Sequence, residues 1–231
     1  MRRWQSCALF YVLAGCSAIV VLMQYRLAVP QTAENNIGFL WAFGATRAGA
    51  REAEPVAITQ DMILHTGDQF KMLVQLQKRC FVYVLLSSQN ADSSENEVSW
   101  LFPYNKQQFD TDYQTGKRYA IPPGDSWYML DQRRGRETVY LLAAAKRLSA
   151  LEALLDASAA AKPAERPQLH ARILAEIRAL SQVRPFATSG ERPTRIGGSR
   201  RDVLRGKDVG DLAVEISAQN FYSKIFTIEH Q

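Results

Sequence analysis

A segment with an apolar residue at every second position constrains the fold of this 231-residue chain more than any other feature. Between residues 69 and 77 every second side chain is apolar, so these side chains share one face of an extended strand: Phe70, Met72, Val74 and Leu76. The next run, residues 80–86, is apolar at nearly every position, which is typical of a central strand covered on both faces. The two segments together predict a sheet with a buried centre.

Further strand patterns recur about every ten residues, with turn residues between them, which is typical of a β-sandwich or an open barrel. They are predicted at 98–102, 118–121, 126–130 and 138–144. Pro103 and Pro122 each stop a strand, because proline cannot continue a sheet ladder. The polar residues 87–97 are predicted to form a surface loop. The fold class is therefore mainly β and antiparallel.

The hydrophobic period changes to that of a helix after residue 145. One apolar stripe runs along the first helix (Leu148, Leu151, Leu154, Leu155) and another along the second (Leu169, Ile173, Ile177, Leu180). A break at Pro163 separates the two helices, and Pro167 suits the first turn of the second. Residues 145–183 are predicted to be an inserted helical hairpin whose stripes pack on the sheet, with an exposed partner surface as the alternative.

The remaining segments complete the predicted domain organisation. Residues 30–54 are predicted to be a linker with a possible short strand at 39–43, and residues 55–231 to be the β-rich domain. Within that domain, residues 184–210 are predicted to form a basic flexible loop. Residues 211–231 provide the closing strands, paired as a hairpin across residues 218–220.

Residues 1–29 are predicted to be a hydrophobic leader that directs export. Arg2 and Arg3 precede an apolar run at 7–23, which is at the short limit of the about 20 residues that span a bilayer. The cations before the run outnumber Arg26 after it, so the positive-inside rule places the rest of the chain outside the cytoplasm. We expect a membrane-anchored protein of the bacterial envelope.

Cys16 is the candidate lipidation site. Residues 13–16, Leu-Ala-Gly-Cys, resemble the bacterial lipobox, although the following residues stay apolar where lipoproteins usually continue with a polar linker. An uncleaved signal anchor at 7–23 is the first alternative, and a conventional cleaved secretory signal is the second. All three interpretations place the domain outside the cytoplasm.

The positive charge of the chain is concentrated in one segment. Residues 184–207 contain seven cations and two anions. Their excess of five positive charges equals the net charge of +5 for the whole chain. Arg195, Arg200 and Arg201 are candidate contacts to an anionic surface, but the pattern favours a solvated loop. No aromatic residue lies among the cations from Arg192 to Lys207, so no nucleic-acid partner is predicted.

The sequence contains no recognisable catalytic or metal-binding motif. His65, His170 and His230 lie on three separate predicted elements, without the close spacing that a zinc site needs. No nucleophile elbow or phosphate loop is present, and Cys80 lies at a buried strand. No cofactor, metal or enzymatic activity is predicted. The alternative is a glycan hydrolase that uses the loop carboxylates Asp110 and Asp112.

Aromatic residues near turns are the candidate binding residues. Five of them are capable of stacking on sugars or anchoring a protein partner: Trp100, Tyr104, Tyr113, Trp127 and Tyr128. Half-buried packing in the sheet is the favoured alternative for the group.

A series of short motifs resembles the bacterial domain of unknown function 4384 family. The motifs are Gly67-Asp68, the apolar run ending in Tyr83-Val84-Leu85-Leu86, Leu101-Phe102-Pro103, Ile121-Pro122, Leu130-Asp131 and Gly135-Arg136-Glu137. The resemblance covers roughly residues 60–145. It implies a β-rich extracytoplasmic module and carries over no catalytic residue.

The sequence therefore predicts a non-enzymatic, membrane-tethered extracytoplasmic β-domain that binds a protein or cell-wall partner. The glycan hydrolase stands as the alternative. A third interpretation is a structural accessory whose basic segment 184–207 lies on anionic headgroups.

Overall fold

A computed structural model describes residues 36–49, 54–91, 95–183, 190–196 and 208–231. Within these residues the chain forms twelve strands and three α-helices. The strands are β1 (Ile37–Thr46), β2 (Val56–Ala57), β3 (Met62–Leu64), β4 (Gln69–Leu76), β5 (Phe81–Asn90), β6 (Asn96–Phe102), β7 (Arg118–Ile121), β8 (Tyr128–Met129), β9 (Gly135–Ala144), β10 (Gly190–Pro193), β11 (Val214–Ala218) and β12 (Phe221–His230). The helices are α1 (Gln108–Thr111), α2 (Ser149–Ala160) and α3 (Arg166–Val183). The leader 1–29, with Cys16, lies outside the described residues.

The strands form two sheets that face each other. The first sheet has the order β10-β11-β1-β4-β7, with β2 paired to β1 and β8 to β4. The second sheet has the order β3-β12-β9-β5-β6. All pairs are antiparallel except the short edge pair β3–β12, which is parallel. This arrangement confirms the predicted mainly antiparallel β fold and, of the two predicted forms, corresponds to the sandwich.

The core between the sheets uses the alternation that the sequence shows. The four alternating side chains of β4 all lie in this core: Phe70, Met72, Val74 and Leu76. From the second sheet, Phe226 enters the same core, with its ring centroid 6.1 Å from that of Trp41 and 5.4 Å from that of Phe43. Burying an apolar side chain of this size contributes about 1.5–3 kcal/mol.

Strand β1 corrects the predicted linker at 30–54. The strand is longer than the predicted 39–43 segment and pairs with β4 on one side and β11 on the other. Phe39, Trp41 and Phe43 point into the inter-sheet core. The opposite face carries Gly38, Leu40 and Ala42, and both faces are buried, so the strand lacks the polar face of an amphipathic strand. The folded domain therefore begins before residue 55.

The two closing strands are a second correction, because they do not pair with each other. β11 joins the first sheet between β1 and β10, whereas β12 joins the second sheet between β9 and β3. The turn between them contains Asn220, whose φ of 56° lies in the left-handed region. Each sheet thus receives one of the last two strands, and the inner face of each supplies residues to the core. The alternating pattern specifies strands but not which sheet each one enters.

Two predicted loops are partly strand. β5 and β6 extend into the polar segment 87–97, where Ser88 pairs with Glu97. The segment 184–210 includes β10, which pairs with β11, and the buried side chain of Ile196. Because strand pairing uses backbone groups, these segments form strands without apolar side chains, and a hydrophobicity pattern does not predict them. Residues 184–189 and 197–207 of the predicted basic loop lie outside the described residues.

The helical hairpin is present as predicted and forms a third layer on the outer face of the second sheet. The apolar stripes of α2 and α3 contribute Leu151, Leu155, Ile173 and Ile177 to a second core. Across from them, the sheet contributes Tyr83, Leu85, Leu142 and Phe221. The stripes are therefore packed and are not an exposed partner surface.

The hydroxyl group of Tyr83 fixes the start of the hairpin on the sheet. It donates a hydrogen bond to Glu152 Oε1 (2.6 Å) and accepts one from the backbone N–H of Leu148 (2.9 Å). Arg147 pairs with the same Glu152 carboxylate at 2.7 Å. Because Tyr83 is fully buried, removing its hydroxyl leaves the Leu148 N–H without its partner.

We expect Tyr83→Phe to lower the free energy of unfolding by about 1–3 kcal/mol, the cost of an unsatisfied buried donor. The matched control is Tyr140→Phe on the same sheet face, where the hydroxyl makes no hydrogen bond within the described residues, and the expected change is about 0.5 kcal/mol or less. Urea denaturation of both variants measures the difference. Equal losses would contradict an anchoring role for Tyr83.

Neighbouring residues of β12 test the placement of this strand in the second sheet. Phe226→Ala should cost about 3–5 kcal/mol, because it opens a cavity between Trp41 and Phe43. Ile225→Ala should cost about 1 kcal/mol or less, since Ile225 points outward and is 52% exposed. Thermal and urea unfolding compare the two. A larger loss of unfolding free energy for Ile225→Ala than for Phe226→Ala would contradict the assignment of Phe226 to the inner face and Ile225 to the outer face.

Candidate functional site at the open end of the sandwich

A cleft of about 200 Å³ lies between the sheets at one end of the sandwich. The second sheet lines it with the ends of β5, β6, β9 and β12, and the first sheet with Phe70 of β4 and with β8. The segment 130–133, which follows β8, completes the lining. The side chain of Met129 at the cleft is 64% exposed, so the cleft is open to solvent beside it.

A change from apolar to polar residues on the inner face of the second sheet creates the cleft. On β5 the inward positions pass from Val84 and Leu86 to Ser88. On β9 they pass from Val139 to Glu137. Apolar side chains at positions 88 and 137 would extend the inter-sheet core. Because these positions are polar, the apolar packing between the sheets ends at Leu86 and Val139.

A polar row crosses three adjacent strands at that level. Ser88 of β5 is the direct cross-strand partner of Glu97 of β6 and of Glu137 of β9. Ser88 Oγ donates a hydrogen bond to Glu137 Oε2 at 2.5 Å. The row therefore brings two carboxylates onto one inner face, with a serine between them.

The electrostatic environment opposes a charge on Glu137. Burial raises the pKa of the Glu137 carboxyl, and the nearby carboxylates of Asp131 and Glu97 act in the same direction, while the Ser88 hydrogen bond opposes them. Among the described residues that line the cleft, Arg133 is the one guanidinium, against three carboxylates. The cleft thus has an excess of negative charge.

The opposite wall is aromatic. The rings of Tyr128 and Phe70 lie 5.3 Å apart at an interplanar angle of 36°. Burial raises the pKa of the Tyr128 phenol, which keeps it neutral at physiological pH. Phe70 and Leu130 add apolar surface to the lining, so the cleft combines an apolar part with an acidic part.

Turns from the motif segments hold this wall in place. Asp68 accepts hydrogen bonds from the backbone N–H groups of His65 (2.9 Å) and Ala48 (2.8 Å). Gly67 has a φ of 87°, which favours glycine, and its N–H donates to the carbonyl of Leu130 at 2.8 Å. A Cβ at Gly135 would stand 2.1 Å from the Gln89 carbonyl oxygen, so glycine permits the close approach of β9 to β5.

Of the predicted aromatic residues, the cleft contains Tyr128. Tyr113 is packed among core rings and accepts the Val82 N–H at 2.8 Å, and Trp100 donates to the Phe102 carbonyl at 2.9 Å. Trp127 lies on the outer face of the first sheet, 5.9 Å from Lys71 Nζ. Tyr104 is 40% exposed and its hydroxyl donates to the Ala120 carbonyl. Four of the five thus have packing contacts away from the cleft.

The predicted loop carboxylates do not converge on one another. Asp110 pairs with Arg147 at 3.2 Å, and Asp112 pairs with Lys117 at 2.5 Å, both on the surface. Arg195 pairs with Asp211 at 3.3 Å. Arg200 and Arg201 lie outside the described residues.

The histidines and the cysteine occupy separate places. His230 lines the cleft, with its Nε2 atom 3.1 Å from Thr66 Oγ1. His170 is buried beside β6, and its Nδ1 atom lies 3.1 Å from the Asn96 carbonyl oxygen. Burial raises the pKa of the Cys80 thiol to about 11, which makes it a poor nucleophile. Across the described parts of the chain, no group of three or more His, Cys, Asp or Glu side chains is arranged to hold a metal ion.

The carboxylates that do converge, Glu97, Asp131 and Glu137, are absent from the sequence-based candidates. Asp131 and Glu137 lie in motifs that carry the family resemblance, and that resemblance carries over no site residue. A sharper indication is available in the alternation, because Glu137 occupies the position of period two that Val139 and Leu141 fill with apolar side chains. An acid at a core position is the pattern that identifies this site.

A family model described as "Domain of unknown function (DUF4384)" matches residues 63–147. This segment is similar to the DUF4384 family. The match confirms the resemblance seen in the sequence. The DUF4384 segment contains β4 to β9, and with them Ser88, Asp131 and Glu137 of the cleft. No curated protein and no solved structure matches the chain.

Strands β1, β11 and β12 lie outside the matched DUF4384 segment and complete both sheets around it. His230 reaches the cleft from β12, so the cleft combines the DUF4384 segment with the C-terminal strand. Among the described helices, none has the length and apolar character needed to cross a bilayer.

Glu137→Gln should raise stability at neutral pH, because it removes a partly desolvated charge and keeps a partner for Ser88. A carboxyl with a raised folded-state pKa contributes its full stability below the ordinary carboxyl pKa and loses it as the pH rises through the folded pKa. The melting temperatures of wild type and variant should therefore coincide at acidic pH. As the pH rises, the variant should become the more stable of the two.

Thermal melts between about pH 4 and pH 8 check this expectation, since that range spans the ordinary Glu pKa and the region above it. Asp112→Asn is the control for loss of one surface carboxylate. Parallel wild-type and Glu137→Gln curves over the whole range would contradict a raised pKa.

Proposed function

We propose that this chain is a non-enzymatic, membrane-tethered binding module of the bacterial cell envelope, and that the acidic cleft is its binding site. The observation that carries the proposal is the half-buried Glu137 carboxyl at a position that continues the alternation of the core. Such a group costs stability, and proteins keep costly groups where function uses them.

The size of the cleft supports binding of one side chain or one small group. Pockets for small-molecule ligands usually measure about 300–1,000 Å³, whereas this cleft measures about 200 Å³. A macromolecular partner is able to insert one group into the cleft and to contact the exposed Met129 beside it. A partner on a protein or on the cell wall fits these dimensions.

The tether and the compartment rest on the leader. Arg2 and Arg3, the apolar run at 7–23 and Cys16 in its lipobox-like context support export and anchoring. The module is then held close to the membrane, where a tether raises its effective concentration toward envelope partners. We propose no nucleic-acid partner and no cofactor.

A second candidate function is hydrolysis of an envelope glycan. The specific observation in its favour is a half-buried carboxyl of raised pKa, Glu137, with the further carboxylates Asp131 and Glu97 nearby. These groups replace Asp110 and Asp112, which are ion-paired on the surface. The small volume of the cleft favours the binding module over this alternative.

Site-specific photocrosslinking in cells tests the binding module with the full-length chain. A photoreactive residue at position 129 should give a discrete adduct with a partner, because this position is exposed at the cleft. The control position is 225, which is similarly exposed on the opposite face of the second sheet. Identical adducts at both positions, or none at position 129, would contradict the proposal.

The same cells distinguish the hydrolase. Glycan fragments released by wild type but not by Glu137→Gln would establish the hydrolase and overturn the non-enzymatic assignment. Fragment release equal in the two strains, together with an adduct at position 129, supports the binding module.

A further inference from the structure

We propose that the cleft binds the side chain of a lysine presented by a partner protein, with the ammonium group at the Glu137 end and the hydrocarbon stem along the apolar lining. This inference rests on the proposed binding function and names the chemistry of its ligand.

The first argument is the two-part lining of the cavity. One part is apolar and aromatic, from Phe70, Leu86 and Tyr128, and the other is acidic. A lysine side chain has the same division, because its four-carbon stem is apolar and its end carries a charge. A cavity of about 200 Å³ holds one such side chain.

The second argument is charge complementarity. The described part of the lining has three carboxylates and one guanidinium, so it is short of positive charge. Asp131 and Glu97 act on Glu137 in the direction that opposes its ionisation. A cation bound here relieves this repulsion, and in the partly desolvated cleft the attraction exceeds that at an exposed site.

The third argument concerns which cation fits. Oε2 of Glu137 accepts the Ser88 hydrogen bond, and within the described residues Oε1 accepts none. Arginine favours a carboxylate with both oxygens available for its planar fork, whereas lysine binds as a compact point charge. The described carboxylates are also not arranged to coordinate a metal ion. Both observations favour an ammonium group.

The experiment uses the full-length chain in detergent micelles, labelled with ¹³C at the methionine methyl groups. Met129 at the cleft is the reporter, and Met72, which is fully buried in the inter-sheet core, is the internal control. The probe is Nα-acetyl-lysine methylamide, and its matched neutral control is the same compound acetylated at Nε.

We expect the lysine probe to shift the Met129 signal in a saturable manner and to leave Met72 unchanged. The neutral probe should bind at least about tenfold more weakly, since one charge-assisted hydrogen bond accounts for such a ratio. Glu137→Gln should cause a similar loss and Asp112→Asn none. Binding should strengthen as the pH rises through the pKa of Glu137, and should weaken with salt.

Equal shifts from the charged and neutral probes, or full affinity in Glu137→Gln, would overturn the lysine assignment. Glu137→Gln is expected to be more stable than wild type, so unfolding does not complicate this arm. If position 129 crosslinks a partner in cells while the lysine probe fails to bind, the binding module stands and only the ligand chemistry is overturned. Failure of both experiments overturns both proposals.

Discussion

The structure depends on the contact of aromatic residues between the two sheets. Phe226 of β12 lies against Trp41 and Phe43 of β1, and these strands belong to opposite sheets. The two strands lie far apart in the sequence, so this contact brings the two ends of the described chain together around the DUF4384 segment. The helical hairpin is a separate layer, held to the outer face by Tyr83 and its hydrogen bonds to α2 and to the residue before it.

The cleft follows from where this core ends. The alternation that fills the inter-sheet space with apolar side chains continues to the end of the strands, but its last inward positions are Ser88, Glu97 and Glu137. The sheets therefore remain apart at this level, and the wall of Tyr128 covers one side. The same period of two that builds the core thus also aligns the polar row.

The sequence predicted much of the fold and little of the site. The β4 alternation, the β7 strand, the helical hairpin and the DUF4384 family were all predicted correctly, because each depends on a local pattern. The aromatic candidates were chosen by residue type, and four of the five pack elsewhere. Glu137 is not among the predicted site residues, since its role depends on Ser88 and Glu97, which lie far from it in the sequence and join it only through strand pairing.

The sequence by itself determined which segments form strands and which form helices, because hydrophobic period and turn chemistry act over a few residues. Only the tertiary structure decided that β1 is a core strand, that β11 and β12 enter different sheets, and that three carboxylates share one cleft. The physical reason is that strand pairing uses backbone groups common to all residues, so a local pattern leaves the choice of partner open. That choice is made by side-chain packing across the sheets, between residues that the chain separates widely.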